Sequence, residues 1–325
     1  IILKRGVPGI LLSQVIGYGL LWFFITIHIS FKNGLAFSKE VFIMLMKYGF
    51  PLIFAMAGNL IMNTSAVYFL GYFFGLEKVA VYTLAFKIAS IAEMSVILPF
   101  QLAYEPFVFE NLEQPGIKNV IAELTTYLFL IFAFVGFAVV FAFRDLIKLV
   151  APADYYPAYY YVFLILPGVA AQGFHYIGQS LLHIERKTYI TGITVSSLSF
   201  VSIILNFFFI RMFGIYGLVL IYDLTMFAIA VMLVSQGIKT FRVSFEIKRM
   251  VMVLVIFVVL LSAVFVFKNI SSFLFYPLML FVVINMIAFL FWGNFIKPKE
   301  RLFLLSIGKS VKMSSENMFI RKDSD

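Results

Sequence analysis

Apolar residues run for about twenty positions at a time, the length needed to cross a bilayer as a helix. Short polar breaks separate nine such runs, at 7–30, 47–69, 78–100, 122–143, 158–181, 188–210, 214–235, 250–267 and 273–293. The runs are continuous and do not alternate over ten-residue strands, so the pattern predicts helices and not a membrane barrel. The expected fold is all-α: a polytopic transmembrane helical bundle of about nine spanning helices. Connections are short except at 101–121, 144–157, 236–249 and the polar stretch after Lys297.

The polar residues inside the runs carry the candidate chemistry, because an ionisable group at membrane depth is costly and usually faces a bundle interior or a water-filled cavity. In YTLAFKIASIAEMSVILPF (82–100), Lys87 and Glu93 interrupt an otherwise greasy helix. At about 100° per residue, Thr83, Lys87, Ser90 and Glu93 share an arc of roughly 120°. Lys87 and Glu93 stand about 9 Å apart along the axis. Lys87 could draw an anionic substrate group into a cavity while Glu93 titrates or coordinates a cation. The structural alternative is an internal salt bridge or snorkelling.

Asp223, in GLVLIYDLTMFA, is the other deep carboxylate. It could pair with Lys87, bind a coupling ion, or hydrogen-bond to Thr225 or Tyr222. The second run carries Asn59, Asn63, Thr64 and Ser65. The fifth carries Gln172, His175, Tyr176 and Gln179, spaced three and four apart on one face. Those amides and the imidazole suit hydroxyl-rich sugars. The Ser, Thr and Asn residues between 191 and 206 read as interhelical packing. The tyrosines of DYYPAYYYVF (154–163) read as an interfacial aromatic belt.

Composition agrees and narrows the class. Hydrophobic residues make up 63% and charged residues 13%, with a mean hydropathy of +1.03; a soluble domain carries about a quarter charged residues. There is no cysteine, which excludes disulfides and thiol chemistry, and His28, His175 and His183 have no metal-ligand spacing. The net charge of +9 reflects basic loops on one membrane face and not a nucleic-acid surface: 17 of the 25 Lys and Arg residues fall on one side if the C-terminus is cytoplasmic. The segment ERLFLLSIGKSVKM (300–313) reads either as a basic amphipathic surface helix or as a solvated tail.

KYGFPLIFAMAGNLIMNTSAVYFLGYFFGLEKVAVYTLAFKIA (47–89) and PFQLAYEPFVFENLEQP (99–115) resemble Wzx-type polysaccharide flippases of the MOP (multidrug/oligosaccharidyl-lipid/polysaccharide) exporter superfamily. APADYYPA (151–158), ERKTY (185–189) and LNFFFIRMFGIYG (205–217) extend the likeness over about 45–240. Fourteen-helix members have two six-helix lobes and a final pair. On that plan 1–35 ends the first lobe, 36–240 is the second lobe, 241–296 the extra pair and 297–325 a cytoplasmic tail, so the chain would be the C-terminal part of a longer transporter.

The resemblance implies a bacterial inner-membrane protein that flips an undecaprenyl-pyrophosphate-linked oligosaccharide by alternating access. It implies no cofactor and no catalytic residue, a cycle driven by H+ or Na+, and contact with membrane lipids, a polysaccharide polymerase and assembly proteins. Lys87 matches an often basic position. Ala66-Val67 and Ser202 depart from the family's acidic–basic pair and first asparagine. The candidates are therefore Lys87, Asn59, Asn63, Gln172, His175 and Gln179 for substrate, and Glu93 and Asp223 for ion coupling.

Other readings stand beside this one. A lipid II flippase and a multidrug or cation exporter share the superfamily, and the exporter would favour an acidic, aromatic cavity. A membrane polymerase or glycosyltransferase would need a carboxylate cluster, for which the 144–157 loop offers only Asp145 and Asp154. A non-transporting scaffold would tolerate loss of Lys87 or Asp223.

Overall fold

The computed structural model describes residues 6–34 and 37–292, together with Phe295 and Lys297. Among the described residues there is no strand, and nine helical stretches are long and apolar enough to cross a membrane. The chain is a multi-pass, all-helical membrane protein. The segment 300–313 lies outside the described residues.

The helices are α1 (Gly6–Asn33), α2 (Lys39–Phe74), α3 (Leu76–Ala92), α4 (Leu98–Glu110), α5 (Ile117–Val150), α6 (Ala158–Ile184), α7 (Thr188–Phe213), α8 (Ile215–Phe241), α9 (Ile247–Phe267) and α10 (Ser272–Trp292). Most overrun the apolar runs that announce them. α2 starts eight residues before its expected boundary at 47, and α4 carries helix to Glu110 through what reads as a loop at 101–121. α5 and α8 likewise take up much of 144–157 and 236–249. Hydropathy marks only the part of a helix that must be in hydrocarbon. The backbone ladder continues past it at no electrostatic cost, and α2, at 36 residues, is about 54 Å long against a hydrocarbon core of about 30 Å.

The chain divides into two compact units at Pro51, inside α2. In the first, Ile1–Phe50, α1 buries none of its span, and side chains such as Val15, Trp22 and Phe24 are exposed. In the second, Pro51–Asp325, α6 is the central helix. It packs most extensively on α8 and also meets α3, α5 and α7, while α9 lies on α5 and α10 on α9.

Small residues set the α6–α8 distance. A Cβ on Gly178 would come within 2.5 Å of the Val234 amide nitrogen and 2.6 Å of the Leu233 carbonyl carbon. Lipid gives no hydrophobic reason for two helices to associate, so this backbone approach is the source of their dispersion attraction. The turn between α7 and α8 is as tight: Gly214 has φ +60°, which a residue with a Cβ rarely adopts.

Between α3 and α4 the helix widens into one π turn, Glu93–Ile97, where the Leu98 amide donates to the Glu93 carbonyl five residues back. Pro99 follows at once and has no N–H to offer, so the ladder is already interrupted there. The extra residue changes the facing of every side chain after Glu93.

Both ends of α5 are braced. At one end Arg144, 8% exposed, donates to the carbonyls of Lys268 (3.1 Å) and Ile270 and stacks 3.8 Å from the Phe275 ring. Beside it Asp145 accepts from Tyr276 (2.6 Å) and Ser272 (3.2 Å). These two residues anchor the α9–α10 turn, which accounts for Asp145 without acid–base chemistry. At the other end Lys297 pairs with Glu123 and, at 2.6 Å, with Glu246. Glu246 also accepts from Arg249 (2.6 Å) and Thr126 (3.2 Å). Burial alone would raise the Glu246 carboxyl, but its bonds to Lys297 and the Arg249 charge outweigh that and hold it below the usual carboxylate range. Burial pulls Lys297 down; Glu123 and Glu246 more than reverse it and leave its ammonium above the ordinary value.

Candidate functional site

A polar cavity of about 530 Å³ opens among α2, α3, α6, α7 and α8. Asn59 and Asn63 come from α2, Phe86 from α3, Glu93 from the π turn, and Gln172, His175, Tyr176 and Gln179 from α6. Thr191 and Val195 come from α7, and Tyr222 and Met226 from α8. The volume falls in the range of small-molecule sites. The lining is unusually polar for helices that lie within apolar spans.

Helical spacing explains the convergence. The α6 residues 172, 175, 176 and 179 occupy one face by the three-and-four rule. Asn59 and Asn63 are one turn apart, and the Asn63 amide donates to the Asn59 carbonyl at 3.0 Å. On the third wall Phe86 and Glu93, two turns apart, look into the same space.

The centre of the cavity is a carboxylate held by an amide. Gln172 Nε2 donates to Glu93 Oε1 at 2.7 Å and lies 3.1 Å from the Tyr176 hydroxyl. His175 is 5% exposed and its ring is stacked on Tyr176, with centroids 5.4 Å apart. Neither of its ring nitrogens meets a protein group in hydrogen-bond geometry; the Gln179 amide, one turn on, is its polar neighbour. Asn59 Oδ1 and the Tyr222 hydroxyl are also buried without a protein partner. Buried polar atoms are nearly always bonded, so a cavity edged by several unspent donors and acceptors is suited to a ligand or water that satisfies them. Among the described residues no three His, Asp or Glu side chains gather as a metal site.

The structure therefore brings Asn59, Asn63, Glu93, Gln172, His175 and Gln179 around one cavity. It places the other two candidates elsewhere. Lys87 is exposed, and its neighbour Phe86 takes the cavity-facing position. Glu93 and Lys87 share an arc but not a face, because the side chains that look inward are seven residues apart and not six. Asp223 packs against α6, where a Cβ on Gly168 would come within 2.2 Å of its Oδ1. The hydrogen bonds expected of Asp223 to Thr225 or Tyr222 are not formed: Thr225 Oγ1 donates to the Ile221 carbonyl at 2.7 Å, and the Tyr222 hydroxyl has no protein partner.

Three lining residues carry no clear sign in the sequence. Phe86 and Met226 look like any apolar residue of a span, and Thr191 reads as packing. Tyr222 was legible only as a neighbour of Asp223. Of the residues read as packing on α7, Thr194, Ser199, Ser202 and Asn206 are buried.

Residues 6–112, a third of the chain, match the family described as Polysaccharide biosynthesis protein. The match takes in the segment 47–89 and most of 99–115, and does not reach the segments after 150. No curated protein and no solved structure matches the chain significantly. The match supports a place for this membrane protein among polysaccharide-biosynthesis proteins.

Proposed function

We propose that the chain is part of a MOP-type transporter of the bacterial inner membrane that flips undecaprenyl-pyrophosphate-linked oligosaccharide by alternating access, with its C-terminus cytoplasmic. The observation that carries this reading is the polar cavity inside apolar helices, with amide, imidazole and hydroxyl groups facing its interior. Sugars present rows of hydroxyls that both donate and accept. Asn59, Asn63, Gln172 and Gln179 can do both in return, and His175 offers one of each in its neutral form. Tyr176, Tyr222 and Phe86 supply ring faces for the apolar side of a sugar.

A sugar head group cannot cross hydrocarbon unaided, whereas the lipid tail can stay in the bilayer. The cavity would hold the sugars nearest the lipid, and Lys87, exposed at the rim of the same helix, would meet the pyrophosphate. Glu93 is the candidate for the coupling cation, and Asp223 would serve the cycle from behind α6. The reading needs no catalytic residue, no cofactor and no nucleic acid; its partners are membrane lipids, a polysaccharide polymerase and assembly proteins.

One observation favours a second reading. Glu93, Phe86, Tyr176 and Tyr222 make part of the wall acidic and aromatic, which suits an organic cation and hence an exporter of the same superfamily.

The test uses a deletion strain complemented with the natural gene or with Lys87→Ala or Gln172→Leu, at matched membrane expression. Lipid-linked oligosaccharide is quantified on each face of the inner membrane. The expected result is accumulation on the cytoplasmic face in the deletion and in both variants. An unchanged distribution in the deletion strain, with lost resistance to cationic dyes, would replace the flippase by the exporter. A defect in the deletion but not in Lys87→Ala would remove Lys87 from the route.

A further inference from the structure

Tyr176 borders two cavities. On one side it lines the polar cavity with Glu93; on the other it lines a small pocket of about 10 Å³ with Gln101, Tyr104, Glu105 and Ser180. That pocket has close to the room one water needs. Two of its polar atoms, the Tyr104 hydroxyl and Ser180 Oγ, are buried without a protein partner, on residues 4% and 1% exposed. A water there would bond both and remove the penalty of leaving them unpaired.

The far wall of the pocket reaches solvent. The Glu105 side chain is 32% exposed, and its Oε1 lies 3.7 Å from Nδ1 of the buried His183. Glu105 and Glu93 are twelve residues apart on a nearly continuous helix, about 18 Å along its axis. Between them stand Ser180 and Tyr176 of α6, whose one-turn spacing brings them to the same seam. The titratable groups that face Glu93 are Tyr176 from α6 and Tyr222 from α8; those that face Glu105 are His183 from α6 and Tyr104 from its own helix.

We propose that Glu105, His183 and the pocket beside Tyr104 and Ser180 form a proton route that feeds Glu93. It rests on the transporter reading for its purpose, since it names H+ as the ion exchanged. One proton arrives from solvent on the Glu105 carboxylate or the His183 imidazole and passes to the pocket water. That water gives one of its own protons to the Tyr176 hydroxyl, whose proton leaves through cavity water to a Glu93 oxygen. Water and the tyrosine hydroxyl can each donate and accept at once. Every carrier loses one proton for the one it takes, Glu93 ends as the neutral acid, and nothing is oxidised or reduced. Gln172, donating to Glu93 Oε1, leaves the other carboxylate oxygen to receive the proton.

The experiment needs no oligosaccharide. The full chain is purified, and infrared difference spectra follow a rapid drop in pH. Glu93 protonation is read as the carboxyl C=O band that disappears in Glu93→Gln. In Glu105→Gln/His183→Gln the band should rise at least about tenfold more slowly, as expected when a positioned proton carrier is lost, and reach the same final amplitude. Ser180→Ala, which removes one water ligand without crowding the pocket, should slow it in the same sense and serves if the double variant does not fold. Absence of a Glu93 band in the wild type would overturn the proposal, and so would unchanged rates in the variants. Either result leaves the flipping assay untouched, so failure of the route and failure of the transporter reading are separable.

Discussion

Replacing Gly178 by alanine should loosen the joint between α6 and α8 on which the cavity is built. The new methyl would meet Val234 N at 2.5 Å and Leu233 C at 2.6 Å, and ordinary contact begins near 3.4 Å. The two helices must therefore separate locally by about 0.9 Å, because both obstructing atoms are backbone and cannot rotate away. Overpacking of this kind costs about 1–3 kcal/mol, and the rigid obstacle places Gly178→Ala toward the upper end. For a chain of this size that is a fall in midpoint on the order of 5 °C, read by thermal unfolding of the purified protein in detergent. Gly136→Ala is the matched control: its nearest obstacle is a Phe257 ring carbon at 3.5 Å, an ordinary contact, and its midpoint should stay within about 1 °C of wild type. Equal midpoints for the two variants would refute the argument that backbone approach at Gly178 sets the α6–α8 distance. Because Gln179 follows Gly178 directly, transport should fall in Gly178→Ala even in the fraction that remains folded.

Two further outcomes follow from the braces on α5. Arg144→Ala leaves the Lys268 and Ile270 carbonyls without their charged donor and uncovers the Phe275 face, a loss of about 2–3 kcal/mol. Arg144→Lys should recover little of it, since an ammonium cannot span both carbonyls; a variant with the wild-type midpoint would show that the α9–α10 turn holds without the clamp. For Glu246, whose folded carboxyl lies below the usual range, the contribution to stability is present above the unfolded pKa and lost as pH falls through the folded one. Lys297, raised in the folded state, contributes below its unfolded pKa and loses that contribution as pH rises through its folded value. Glu246→Gln should therefore lower the midpoint near neutral pH and differ little from wild type in acid; a gap that persists at low pH would mean the side chain acts by packing and not by charge.

Much of the cavity was legible because helical periodicity is a local property. The amide-rich face of α6 and the asparagines of α2 could be placed on stripes from their spacing alone, and polar stripes within apolar runs must face something other than lipid. The roles of Lys87 and Glu93 were harder to separate, because residues six apart share a broad arc, and only the seventh position returns to the face that Phe86 presents. The π turn added to this. Its extra residue changes the phase of the helix after Glu93, and a period of 3.6 counted along the sequence carries no sign of it. Asp223 offered several partners, and the one it meets is a glycine, which has no side chain to announce a contact.

The sequence by itself determined the solvent this chain folds in, the number of membrane-length apolar helices and which of them bear polar stripes, since all three depend on residues close together along the chain. Tertiary structure alone decided which stripes meet. The α6–α8 approach at Gly178, the turn at Glu93 and the braces at Arg144 and Lys297 join residues far apart in the chain. Such joints depend on the depth and rotation of each helix, which are fixed by small differences in packing that no local pattern contains.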